Sequence, residues 1–279
     1  MKKRVPYGIM NYAELVRKQC YWVDKTPYLA QLETVDNPVF LRPRRFGKSL
    51  WCSLLVYYYD LAHAASFDEL FGHTRIGQHP TATHNQLLML SLDFSPIAVG
   101  PTIKDIERSF NAQINIRLLL LRTWYAPLLD QMPEMVQDAP VADNLSRLLA
   151  FLASAKLPPL YVIIDEYDNF ANQLIIAHKD QLYRELTADD SFSKAFFKTL
   201  KDGRKTGAVA NVFITGVLPI TIDDLASGFN IANFLTLTPK FEAMLGFTQT
   251  EVEHLLDEVY QDYQYAQDFR GVFQRTAPH

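Results

Sequence analysis

Short runs of consecutive apolar residues alternate along the chain with longer segments whose apolar positions recur every three or four residues. The runs Val39 to Leu41, Leu87 to Phe94, Leu160 to Ile164, Asn211 to Thr215 and Phe234 to Leu237 predict strands. Unbroken apolarity, as in Leu160 to Ile164, marks a strand buried on both faces. Helical spacing predicts helices over Pro27 to Glu33, Gly47 to about Leu61, Pro101 to about Leu129, Asp143 to Ala155 and Phe192 to Lys201. Asp24 and Thr26 are candidate caps for the first of these, and Pro27 suits its first turn. Pro158-Pro159 stops the fourth. Thr248 and Glu251 form a capping box that opens a last helix to about Tyr260. Strands alternating with helices predict a three-layer α/β/α fold with a central, mainly parallel sheet. Its crossovers are expected to be right-handed, and its ligands to bind at the carboxyl ends of the strands.

The chain has 279 residues, 48% of them hydrophobic, enough for one sizeable α/β core. A net charge of -4 excludes a bulk basic footprint for nucleic acid and leaves room only for a local one. Cys20 and Cys52 have no metal-type or disulfide-framework spacing, which points to a reducing cytoplasm. No apolar run approaches membrane-spanning length, so no membrane partner is expected.

Two strand ends carry chemistry. After Val39-Phe40-Leu41 the chain reads Arg42-Pro43-Arg44-Arg45-Phe46-Gly47-Lys48-Ser49-Leu50. This is the second half of a phosphate-binding Walker A loop between a strand and a helix, with Arg42 where the first glycine would stand. Backbone N–H groups at a helix start attract an anion. Lys48 supplies a point charge for the outer phosphates, and the Ser49 hydroxyl is a ligand for Mg2+. Alone, Gly-Lys-Ser is a weak signal, equally readable as a solvated basic loop. The second strand end, Ile163-Ile164-Asp165-Glu166, has the form of a Walker B motif. Asp165 is expected to hold magnesium opposite Ser49, with Glu166 as general base toward water. A third strand ends at Thr215-Gly216, which makes Thr215 a candidate γ-phosphate sensor or simply part of a turn.

These segments resemble the bacterial AAA-ATPase-like family. The residues that carry the resemblance are Tyr21 to Thr26, Leu41 to Ser49, Ile163 to Asp168, Phe213 to Val217, Ser227 to Asn230 and Leu245 to Thr248. The resemblance spans about residues 4 to 260 and implies a P-loop NTPase core of the AAA/ASCE type that binds ATP with Mg2+. It implies that an arginine at position 42 is ordinary for the family, and that Asp24 and Lys25 lie near the nucleotide. The expected organisation is an N-terminal segment (1–36), an ATPase core (37–246) and a partial helical lid or degenerate segment (247–279). Many members carry a C-terminal restriction-endonuclease-like domain. None is recognisable here, so the chain is expected to be truncated relative to them. Self-association and a nuclease or nucleic-acid partner are implied in the same way.

Three functions fit: an ATPase coupled to a macromolecular partner, a nucleotide-gated binding module with little hydrolysis, and a P-loop kinase. Glu166 directly after Asp165 disfavours the kinase. Arg204, and more weakly Arg184, are positional candidates for an arginine that completes the site, against a plainer reading as solvated helix residues. Asp93, at the end of the second strand, is a candidate water-orienting group or a turn cap. The seven histidines show no zinc spacing.

Overall fold

The computed structural model of the chain describes residues 3–136, 138–218 and 229–263. Ser227 and Gly228 of the family-like segments, and residues 264–279 of the expected lid, lie outside them. Five strands form the sheet: β1 (Pro38–Leu41), β2 (Leu88–Asp93), β3 (Leu160–Asp165), β4 (Val209–Gly216) and β5 (Asn233–Phe234). Their order is β2-β3-β4-β1-β5, and every pairing is parallel. The fold is therefore the three-layer α/β/α fold of P-loop NTPases.

Side chains alternate across this sheet, and the two faces build two cores. Val39, Leu90, Val162, Ile164 and Ile214 face one core, shared with α6 (Ile103–Trp124), α8 (Val141–Ser154) and α11 (Phe192–Thr206). Phe40, Met89, Tyr161, Ile163 and Phe213 face the other. That second core is closed by α1 (Tyr12–Arg17), α2 (Pro27–Leu32), α3 (Lys48–Tyr59), α4 (Phe67–Phe71) and α5 (Arg75–Gln78). All six residues of β3 are buried, as its unbroken apolar run requires.

The long helix expected from Pro101 to Leu129 is two helices, α6 and α7 (Ala126–Leu129). Tyr125 ends the first, and Pro127, which cannot donate into a preceding turn, sits in the first turn of the second. Pattern reading did not find α1, α4, α5, α9 (Asn169–Ile176) or α10 (Asp180–Thr187). Each of these is eight residues or shorter, too brief for a period of 3.6 to stand out.

The final helix, α12 (Gln249–Tyr263), starts at the expected capping box: Thr248 N–H donates to Glu251 Oε2 at 2.8 Å, and Glu251 N–H to Thr248 Oγ1 at 3.3 Å. It lies against the N-terminal segment. Lys25 Nζ meets both Glu251 carboxylate oxygens at 2.6 and 2.7 Å, Tyr21 OH donates to Asp262, and Lys3 pairs with Glu258.

Candidate functional site

β4 stands between β1 and β3, so the loop after β1 and the acids after β3 emerge at the same edge of the sheet, one strand apart. Gly216 permits this approach. A Cβ there would lie 2.5 Å from Asp168 Oδ1 and 2.6 Å from the Tyr167 ring. Buried Asp168 accepts from the N–H groups of Val217 and Leu218 and from Asn172 Nδ2, which fixes the turn after β4.

The loop after β1 turns sharply through two left-handed residues, Arg45 (φ 71°) and Gly47 (φ 86°). Gly47 adopts that region without the steric cost a side chain brings, and α3 begins at the next residue. The free N–H groups of this first turn are the anion-attracting feature of the loop. Lys48 is buried, with Nζ 3.1 Å from the Arg42 carbonyl oxygen, 3.4 Å from that of Pro43 and 3.3 Å from Glu166 Oε1. Ser49 Oγ donates to Asp165 Oδ2 at 2.6 Å, and the Glu166 N–H donates to Asp165 Oδ1 at 3.0 Å. Glu166 is itself left-handed (φ 52°), a conformation that costs a residue with a Cβ about 1 kcal/mol or more. Burial pushes the Asp165 carboxyl above the usual carboxylate range; the Ser49 hydrogen bond opposes this, and the negative charges of Glu166 and Asp93 add to it.

The structure thus brings Lys48, Ser49, Asp165 and Glu166 together. A hydroxyl and a carboxylate 2.6 Å apart are a hard-oxygen donor pair, which suits Mg2+ completed by phosphate and water. Among the described residues no cluster of three or more His, Cys, Asp or Glu converges on a metal position.

Other expected residues are placed differently. The Arg42 guanidinium donates to the carbonyls of Leu41, Thr236 and Glu242 and stacks over the Phe40 ring at 4.4 Å, bracketing the loop to the segment after β5. Pro43, Arg44, Arg45 and Phe46 are exposed along the loop. Thr215 is fully buried and gives its one hydroxyl proton to the Phe40 carbonyl at 2.9 Å, leaving no donor for a ligand in this arrangement. Asp24 accepts from Thr26 and from the Arg75 N–H. Arg204 pairs with Asp36 and donates to the carbonyls of Val209 and Ala210, so it is tied within its own subunit. Arg184 is exposed. Asp93 is the register partner of Asp165, and its Oδ1 accepts from the Ser95 N–H, a turn cap.

Sequence reasoning missed an apolar cavity of about 430 Å³ beside the loop. Its walls include Tyr12, Trp22, Val23, Lys25, Phe46, Gly47, Leu50, Trp51, Leu54, Leu245 and Phe247. They come from the N-terminal segment, the loop, α3 and the start of the C-terminal segment. No local pattern announces a cavity assembled from such distant pieces. Lys25 reaches its wall, but the Lys25 ammonium is held by Glu251 and the Ala243 carbonyl.

The fold is that of the P-loop NTPase class. The profile of the AAA-ATPase-like family, described as predicted AAA-ATPases, matches residues 6–226, and the chain belongs to that family. It is similar to an uncharacterised protein in the vnfD 5′ region of Azotobacter chroococcum mcd 1, with 24% identity over 259 residues. That match covers 90% of this chain and 44% of the relative, so the chain spans less than half the relative's length. No solved structure matches the chain at a significant level. No helix among the described residues is long and apolar enough to cross a membrane.

Proposed function

We propose that this chain is a Mg2+-dependent ATPase that couples the nucleotide to a macromolecular partner. The observation that carries this reading is the convergence of Lys48, Ser49, Asp165 and Glu166 at one sheet edge, with Ser49 and Asp165 in direct contact. The loop N–H groups and the Lys48 ammonium would hold the outer phosphates. Ser49 and Asp165 would hold Mg2+, which when bound neutralises phosphate charge. The Glu166 carboxylate, next to the Lys48 ammonium, would take a proton from the attacking water. The apolar cavity would receive the base, which would put Val23 and Lys25, on its wall, near the nucleotide. Its lining offers stacking and shape selection, and the chain lacks an Asn-Lys-x-Asp run for reading guanine.

In this reading Arg42 and Asp24 support the site through structure, and Thr215 joins β4 to β1. Glu166→Gln separates hydrolysis from a nucleotide-gated module: turnover should fall by about 100-fold or more while ATP stays bound. Equal phosphate release by Glu166→Gln and the wild type would remove Glu166 from the mechanism.

A further inference from the structure

α6 carries two apolar stripes. Ile106, Phe110, Ile114, Leu118 and Leu121 are buried in the core. A second stripe runs through Ala112, Ile116, Leu119, Leu120, Thr123 and Trp124 on the outer face. Ile116, Leu119, Leu120 and Trp124 are 52%, 55%, 54% and 61% exposed. At about 100° per residue these positions share one face, with Arg108 and Arg117 on its two borders; between Ala112 and Trp124 no charge lies within it, and Asp105, paired with Arg108, marks its amino-terminal end. Among the described residues, the ring neighbour of Trp124 is His63, at 6.1 Å. An ordinary solvated helix face carries polar residues here, so four large apolar side chains in succession need a reason.

We infer that this face is the contact surface of a symmetric homodimer, in which two copies of α6 pack antiparallel about a two-fold axis near Leu120. The stripe presents about 450 Å² per copy, about 900 Å² across the pair. Arg117 and Thr123 add to this at the rim, and a total below the ~1,200 Å² at which stable specific interfaces begin makes this a weak, concentration-dependent dimer. A helix stripe of this kind is self-complementary in an isologous contact, where residue i meets j and j meets i. Antiparallel pairing centred on residue 120 sets Ile116 against Trp124 of the second copy, Arg117 against Thr123, and Leu120 against itself. No like charges oppose each other in that register.

Sedimentation velocity on the full chain tests this across a wide concentration range. The wild type should show a concentration-dependent species of twice the chain mass of 32.0 kDa. Leu120→Glu and Leu120→Lys each place like charges across the axis and should weaken the dimer at least ~10-fold. Leu120 is half exposed, so both variants should keep the wild-type circular dichroism and melting temperature. An equimolar mixture of the two should recover the dimer, because only a contact of residue 120 with its own counterpart pairs glutamate with lysine. A wild type that stays monomeric, variants that dimerise like the wild type, or a mixture that stays monomeric would each overturn the proposal. Wild-type monomers that co-sediment with anionic phosphatidylserine vesicles through this stripe would overturn it in favour of a membrane surface.

Discussion

Replacing Arg42 distinguishes a phosphate ligand from a structural bracket. Its guanidinium lies 3.1, 3.0 and 3.1 Å from the carbonyl oxygens of Leu41, Thr236 and Glu242. Two of these acceptors lie far along the chain, so the side chain ties the loop to the segment after β5. A charged hydrogen bond contributes about 1.5–3 kcal/mol, less where water can replace it. Arg42 is only partly buried, which discounts the sum. Arg42→Ala should therefore lose about 2–4 kcal/mol, counting the stack on Phe40. Arg42→Lys keeps the charge but not the planar fork and should lose about 1–2 kcal/mol. At this chain length a loss of 2–4 kcal/mol lowers the melting temperature by about 3–7 °C. Urea unfolding gives the stability, and titration of the folded variants with a fluorescent ATP analogue gives the affinity. Affinity should fall less than ~10-fold while stability falls as stated. An Arg42→Lys variant as stable as the wild type, with affinity down more than ~100-fold, would refute the bracket and make Arg42 a phosphate ligand.

Two further variants follow from the same geometry. Asp165 has a raised folded pKa, so its unfavourable ionisation costs stability as pH rises from the ordinary Asp value to the raised one, and the full cost remains at all higher pH. Asp165→Asn should hold the apo fold at least as well as the wild type at neutral pH and should remove Mg2+-dependent nucleotide binding. In the wild type, metal-dependent binding should weaken on acidification above the usual carboxylate range, because protonation competes with the metal; pH titrations of both proteins check this. Leu50→Trp enlarges a side chain on the wall of the apolar cavity and should lower nucleotide affinity at least ~10-fold with little loss of stability, read by the same titration and a thermal melt.

The strands and the chemical pair were legible because their signals are local. Four apolar runs gave β1 to β4, with Gly47-Lys48-Ser49 and Asp165-Glu166 following two of them. The fifth run, Phe234 to Leu237, meets β5 (Asn233–Phe234) only at Phe234, because the chain turns away at Leu235 and leaves Leu237 in solvent. What the sequence withheld depends on partners distant in the chain. The destination of the Arg42 guanidinium is set by carbonyls of Thr236 and Glu242, and that of the Thr215 hydroxyl by Phe40. Arg204, a candidate for completing a neighbour's site, is instead satisfied by Asp36 and the start of β4. The outer stripe of α6 was present as Ile116, Leu119, Leu120 and Trp124, but an apolar helix position does not reveal which face the core will take.

The central claim is that the loop around Lys48 binds ATP. Titration of the wild type and Lys48→Ala with a fluorescent ATP analogue and Mg2+ tests it most directly, with Trp22 and Trp51 on the cavity wall as a second, intrinsic fluorescence signal. The account predicts saturable binding by the wild type and a loss of about 100-fold or more in Lys48→Ala, because the buried ammonium beside Glu166 has no substitute. Equal affinity of both proteins, or no binding by a folded wild type, would contradict it.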